Sequence, residues 1–307
     1  MEPNHITDVL VVGGGYAGLS AALTLYRATH TTIVFDSQVF RDRRAPKIRL
    51  LPGWEGTSSE QFRETARTEL AQTGLSSFVD TEVTAIQQTD TGIWEVTTSD
   101  GKEWLGKKVV LATGTDEIYP SIPGYEECWV TGIFPCLFQF GYEERGCESA
   151  GILVVEKLAK HLPQVAKLAG DANKFACNVV LYTHGNQEVA DQLEDLIQGM
   201  DFQIESRVIR RLVKGSKGAE VIVELEDNGT NSEGFLVHQP YTRLRGMLPK
   251  QLGLETTLLG DIKVEQPFPA TSVAGVYAAG DCASPLKNAS MAIAAGVCAG
   301  NGVAREL

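Results

Sequence analysis

Residues 9–18 read VLVVGGGYAG, and they decide the fold. Val9–Val12 is a short, unbroken apolar run of the kind that forms a parallel strand buried on both faces. Gly13-x-Gly15-x-x-Gly18 follows at once. In such a turn the first glycine permits the tight reversal. The second lets backbone approach a pyrophosphate, and the third lets the next helix pack closely on the strand. Residues 17–28 (AGLSAALTLYRA) have helical spacing, so free N–H groups and a partial positive charge face the phosphate site. Thr31–Phe35 then reads as a second strand ending in Asp36, where an acid holds a ribose hydroxyl pair.

A second segment lies near the other end of the 307-residue chain. Residues 271–281 read TSVAGVYAAGD, a buried strand over Val276–Ala279 running into Gly280-Asp281. A small-residue helix over 288–304 follows, and its N-terminus suits the electron-rich edge of a flavin. Ala112-Thr113-Gly114, after the apolar KVVL, reads as a further strand-to-loop turn. The two ends do complementary work on one cofactor, FAD. The residues expected to bind it are Gly13, Gly15, Tyr16, Ala17, Gly18, Asp36, Ser37, Arg44, Val83, Ala112, Thr113, Gly114, Gly280, Asp281, Met291, Ala292 and Ile293.

Between these segments, strands and helices alternate, which predicts an α/β, doubly wound, Rossmann-like fold. Helix is expected over 58–73, capped by Ser58 or Ser59, and strands over 79–87, 93–98 and 103–111. Pro120 and Pro123 mark a crossing into a second unit, and Pro240–Gly246 a return. The expected domains are therefore 1–123 with 244–307, binding FAD, and an inserted 124–243. Within the insert, helices are expected over 159–175 and 187–198. Strands are expected over 177–183, 203–213 and 219–226.

Composition narrows the partners. A net charge of −12 argues against nucleic acid and anionic membrane surfaces. No apolar run is long enough to span a bilayer. MEPNHITDVL lacks the basic-then-apolar pattern of a signal peptide, so a cytoplasmic location is expected. The six cysteines lack C-x-x-C or metal-ligand spacing and are expected as reduced thiols, and no metal site is expected.

The segments GIFPCLFQFGYEERG (132–146), EGFLVHQP (233–240), QLGLE (251–255), GDIKVEQPF (260–268) and AAGDCASPLK (278–287) carry a resemblance. The chain is similar over nearly its whole length to the low-molecular-weight thioredoxin-reductase-like flavoproteins. It is most like the fungal branch with the dithiol oxidases of gliotoxin-type pathways. The resemblance implies FAD, a homodimer and, in that branch, O2 as electron acceptor.

Two departures matter. The family's C-x-x-C and the histidine after it read here Cys136-Leu137-Phe138-Gln139-Phe140. A flavin-to-disulfide relay needs two thiols, one to attack and one to receive electrons. The insert's first strand, GILVV, is followed by Glu156-Lys157-Leu158 and not by glycines. A carboxylate there repels a pyrophosphate, and Tyr182-Thr183-His184-Gly185 lacks an arginine pair for a 2′-phosphate.

The expectation is an FAD-dependent oxidase or dehydrogenase acting through the flavin on a small secondary metabolite. The alternatives are a redox-neutral cyclase or isomerase, a non-catalytic flavin-binding partner, or a thiol oxidase pairing Cys136 with an external thiol. Candidate catalytic residues are Cys136 as nucleophile, base or packing thiol, Gln139 as a hydrogen-bonding group beside the flavin, Tyr142 and Glu143 as acid or base, and His238. The basic run Arg41, Arg43, Arg44, Lys47 and Arg49 suits FAD phosphates, an acidic substrate or plain solvation.

Overall fold

The computed structural model describes residues 5–45 and 47–307; the first four residues and Pro46 lie outside the described set. The chain divides into two compact units, Met1–Asp116 with Thr242–Leu307, and Glu117–Tyr241.

The first unit begins with β1 (Thr7–Val12), α1 (Tyr16–Arg27), β2 (Thr32–Phe35), α2 (Ser59–Ala71), β3 (Ser76–Val79), β4 (Val83–Gln88), β5 (Trp94–Thr98) and β6 (Glu103–Leu111). Strands β3, β2, β1 and β6 run parallel in that order. β6 changes partner along its length. Glu103–Gly106 pairs antiparallel with β5, while Val109–Leu111 pairs in parallel with Val276–Ala278 from the returning chain. Every side chain of Leu10, Val11, Val109, Val110 and Leu111 is removed from water, as a two-faced central strand requires. Ser58 is the cap of α2, accepting from the Gln61 N–H at 3.0 Å.

The second unit carries β7 (Ile133–Phe134), α3 (Leu137–Phe140), β8 (Cys147–Leu153), α4 (Leu162–Ala172), β9 (Ala176–Tyr182), α5 (Gln187–Leu196) and β10 (Gln203–Glu205). A three-stranded antiparallel sheet of β11 (Ile209–Lys214), β12 (Val221–Leu225) and β13 (Thr230–Glu233) follows, then β14 (Leu236–Val237). Its main sheet has the order β10-β9-β8-β14-β7, all parallel. The chain then returns to the first unit and ends with β15 (Val276–Ala278) and α6 (Ala289–Ala304).

The structure shifts several expected bounds. The crossing comes at Asp116–Glu117, ahead of the prolines, because Pro123 already belongs to the insert: its carbonyl accepts from the Leu212 N–H at 2.8 Å. The helix expected from 159 starts at Leu162, with Pro163 in its first turn, after a separate single turn over Glu156–Ala159. The strand expected over 203–213 is two strands, and the strand near 79–87 is likewise divided into β3 and β4. Among the described residues no helix is long and apolar enough to cross a membrane, and no acidic, His or Cys cluster suits a metal.

Candidate active site

The glycines of the first turn separate into packing and open positions. Gly13 has φ +121°, and a Cβ built on it falls 2.2 Å from the Ala112 carbonyl oxygen. A Cβ on Gly18 falls 1.8 Å from the Gly13 carbonyl oxygen. A Cβ on Gly15 meets nothing within 4 Å, and Gly15 stands at the N-terminus of α1, where no side chain caps the helix. Two glycines thus let chain approach chain, and the middle one leaves its backbone N–H groups facing open space.

Three strand ends converge on this turn. Ala112 N–H donates to the Val12 carbonyl at 2.8 Å, and Ala279 N–H to the Leu111 carbonyl at 2.9 Å. Gly280, with φ +80°, abuts Ala17, because a Cβ there falls 2.8 Å from that methyl. α6 lies on α1 through Gly296 and Gly300, whose built Cβ atoms run into Ala17 and the Ala21–Thr24 turn. The small residues of α6 are therefore what lets it approach. Ala292 is buried, Ile293 half-buried and Met291 exposed. Asn288 caps α6, accepting from the Met291 N–H at 2.9 Å.

The polar lining is tied to the same turn. Asp36 is buried; its carboxylate accepts from the Gln38 N–H at 2.8 Å and from Arg67 at 2.9 Å. Burial pushes its pKa up, opposed by those two donors. Arg67 also reaches Asp80 at 2.6 Å and stacks on Phe78. Tyr16 donates to Asp42 at 3.0 Å, and Arg63 reaches the same carboxylate at 3.1 Å. Arg41 meets Asp281 at 3.2 Å, while Arg43 donates to the Phe40 carbonyl and Arg49 pairs with Glu55. The basic run is thus largely engaged with neighbouring acids and carbonyls. Ser37 is exposed, and Val83 lies in the core beside Val12 and Phe35. Thr113 Oγ1 is buried beside the Cys282 thiol, and Gly114, at φ +69°, has open space where a Cβ would stand. An open glycine turn and a buried acid at the end of the second strand are features that suit an FAD.

Sequence reading missed Arg245. Its guanidinium holds Asp116 at 2.9 Å, the Thr115 carbonyl at 3.2 Å and the Val39 carbonyl, clamping the chain after Gly114 to the loop after β2. Its partners lie more than a hundred residues away, so no local pattern announces it.

In the second unit, Cys136 is the N-cap of the single-turn helix α3 and is half-buried. Its carbonyl accepts from both Gln139 and Phe140 N–H at 3.2 Å. Gln139 is half-buried, and Phe138 is 71% exposed. Phe140 stacks on Phe134 at 5.3 Å and faces the unit's own core, an apolar role for the position where the resemblance expects histidine. Tyr142 and Glu143 are exposed, and Arg145 lies 4.0 Å over the Tyr142 ring. All six cysteines are free. Cys147 sits in β8 with its thiol toward the Ser149 and Phe175 carbonyls, and burial pushes its pKa up to about 11.

His238 is not a surface group awaiting a substrate. It is wholly buried, its Nδ1 lies 2.7 Å from the Tyr125 hydroxyl, and burial pulls its pKa down to about 4. It is a neutral core histidine, set edge-on to Tyr125.

At the carboxyl end of β8, where a dinucleotide loop belongs, the chain runs Val154-Val155-Glu156. Glu156 has φ +47°, one carboxylate oxygen is buried without a partner, and burial raises its pKa.

The comparisons agree with this geometry. The family model described as pyridine nucleotide-disulphide oxidoreductase matches residues 7–296. The chain belongs to that family. This oxidoreductase is 40% identical to thioredoxin reductase sirT of Leptosphaeria maculans, over 97% of this chain and 93% of that one. It is 35% identical to thioredoxin reductase tcpT of Claviceps purpurea, over 100% and 96%. Among solved structures, HlmI superimposes with a TM-score of 0.88 at 25% identity, covering 100% of this chain and 94% of that one. The pyridine nucleotide-disulphide oxidoreductase fold, a two-domain Rossmann-like α/β architecture, is thereby established, and with it FAD as the cofactor.

Proposed function

We propose that this FAD oxidoreductase works on a small secondary metabolite directly at the flavin, without an internal dithiol and without taking hydride from NAD(P)H. One observation carries the reading: the chain runs Cys136-Leu137-Phe138-Gln139, so that by the resemblance an amide takes the position of the second thiol of C-x-x-C. An amide donates and accepts hydrogen bonds but takes no electrons. Glu156 supports the second half, since its partly buried carboxylate opposes a pyrophosphate at the end of β8. Bound FAD supplies the two-electron chemistry, so that substrate loses two electrons and two protons and O2 becomes H2O2. The chain's own part is to hold the cofactor by the 13–18 turn, Asp36 and the 280–293 segment. A homodimer is the assembly we propose, on family likeness.

The test is an anaerobic dithionite titration. Full reduction should consume about two electrons per bound FAD, because a working dithiol would add a second two-electron couple. Uptake of about four electrons would show an operating dithiol and end this reading. NADPH should bleach the flavin no faster than NADPH-free decay; stoichiometric reduction within seconds would overturn the assignment of Glu156.

A second reading has Cys136 form a mixed disulfide with an external thiol substrate. The half-buried thiol at a helix N-cap, beside the exposed Phe138, favours it. Cys136→Ser separates the two: direct flavin chemistry survives the change, and thiol oxidation does not.

A further inference from the structure

We propose that Lys287 is a positioning residue for FAD, its ammonium fixing the Gly280–Lys287 loop and with it the placement of Asp281 and the start of α6. The inference rests on the assignment of that segment to the cofactor.

The Lys287 ammonium donates to Asp261 Oδ1 at 2.7 Å, to the Asp281 carbonyl at 2.9 Å and to the Ser284 carbonyl at 2.6 Å. An ammonium has three protons, so all are used. The Lys287 side chain is 11% exposed and that of Asp261 is 6% exposed. A charge so far from water persists only when paired and fully hydrogen-bonded, and Asp261 supplies the pairing. The ion pair accounts for one bond. The other two go to backbone carbonyls three residues apart, Asp281 inside the single 3-10 turn Gly280–Ala283 and Ser284 just after it, and they tie Lys287 back onto that turn. The Cys282 carbonyl accepts from the neighbouring Ile262 N–H at 2.8 Å, so the 261–262 segment holds this loop at two points.

The consequence runs in two directions from the lysine. Upstream lies Asp281, whose carboxylate meets Arg41 at 3.2 Å. Downstream, the next residue is Asn288, which caps α6. One side chain therefore ties the Asp281 backbone to the residue before the helix end, the two parts of the segment that the cofactor is assigned to meet. Arginine would not replace it, since a planar fork cannot supply three tetrahedral bonds.

The experiment compares wild type with K287M, D261N, D261N/K287M and D281A. It reads the FAD dissociation constant of each apoprotein by flavin fluorescence and the apoprotein Tm. K287M should weaken FAD binding by about tenfold or more, the effect of losing charge-assisted bonds that shape a site. D261N/K287M, which leaves no unpaired buried carboxylate, should weaken it equally and keeps the test valid if K287M folds poorly. D261N keeps both carbonyl acceptors and should weaken FAD binding less than K287M does, while lowering Tm because the buried ammonium loses its charge partner. FAD binding near wild type in D261N/K287M, with D281A weakened, would overturn the proposal. So would D261N weakening FAD as much as K287M, because the ion pair alone would then account for the effect. If D281A itself binds FAD like wild type, the assignment of the segment fails, and the proposal with it.

Discussion

Gly15→Ala and Gly18→Ala are the same chemical change three residues apart, and the structure gives them opposite outcomes. A methyl on Gly15 meets no atom within 4 Å, and a methyl on Gly18 falls 1.8 Å from the Gly13 carbonyl oxygen. Ordinary carbon–oxygen contact needs about 3.4 Å, so α1 must move away from the turn by more than an ångström in G18A. Overpacking of that kind costs about 1–3 kcal/mol, which lowers Tm by several degrees in a unit of this size. G15A should leave the apoprotein within about 1 kcal/mol of wild type, the change expected at an N-cap. Its methyl instead occupies the space through which a pyrophosphate reaches the first N–H groups of α1. Losing one such charge-assisted bond costs about 1.5–3 kcal/mol, or roughly ten- to 150-fold in FAD affinity. The assay pairs calorimetric Tm of chaotrope-stripped apoprotein with FAD titration. Wild-type FAD affinity in G15A, or an apoprotein Tm lowered as far as in G18A, would refute this division of labour between the glycines.

Two further predictions concern the inserted unit. His238 has its folded pKa pulled from 6.5 to about 4, so the stability it contributes is present above about pH 6.5 and is lost as pH falls toward 4. Scanning Tm against pH should show that acid limb, and His238→Phe should flatten it while lowering Tm at pH 7, because the Tyr125 hydroxyl loses its partner at a cost of about 1–3 kcal/mol. Glu233 is buried and accepts from Ser149 and Tyr182, the latter also bonded by Asn231 at 3.0 Å. Burial raises its folded pKa, so its favourable contribution is complete below the unfolded value and fades as pH rises through the folded one. Glu233→Gln should remove that alkaline-side loss, and Glu233→Ala should destabilise by about 2 kcal/mol or more; equal pH profiles for wild type and E233Q would count against it.

What was legible in the sequence was what short-range spacing encodes. Gly13, Gly15 and Gly18 between an apolar strand and an Ala-rich helix announce their turn, because all the contacts involved lie within a few residues or on the next strand. The division into two units was legible from prolines, though displaced: Pro120 and Pro123 punctuate the chain, but the Pro123–Leu212 bond that assigns them to the insert spans the unit. His238 was ambiguous for a related reason. A lone histidine beside a proline looks the same whether it faces solvent or Tyr125, and only the tertiary packing removes it from water. Arg245 and Lys287 went unread because a cation's meaning here depends on carbonyls and carboxylates brought together by the fold.

The change of partner along β6 has a consequence for biosynthesis. The strand's second half is closed by β15, and α1 is covered by α6, both from the last part of the chain. On the ribosome, everything the inserted unit requires has been made by Tyr241, whereas the first unit still has an open sheet position and a bare helix face. The insert is thus free to fold as a continuous piece during synthesis, with the 13–18 glycine turn exposed but unfinished. The glycine turn accordingly gains its surroundings late: until the small-residue helix is made, Gly13–Gly18 lacks the β15 and α6 residues that pack around it.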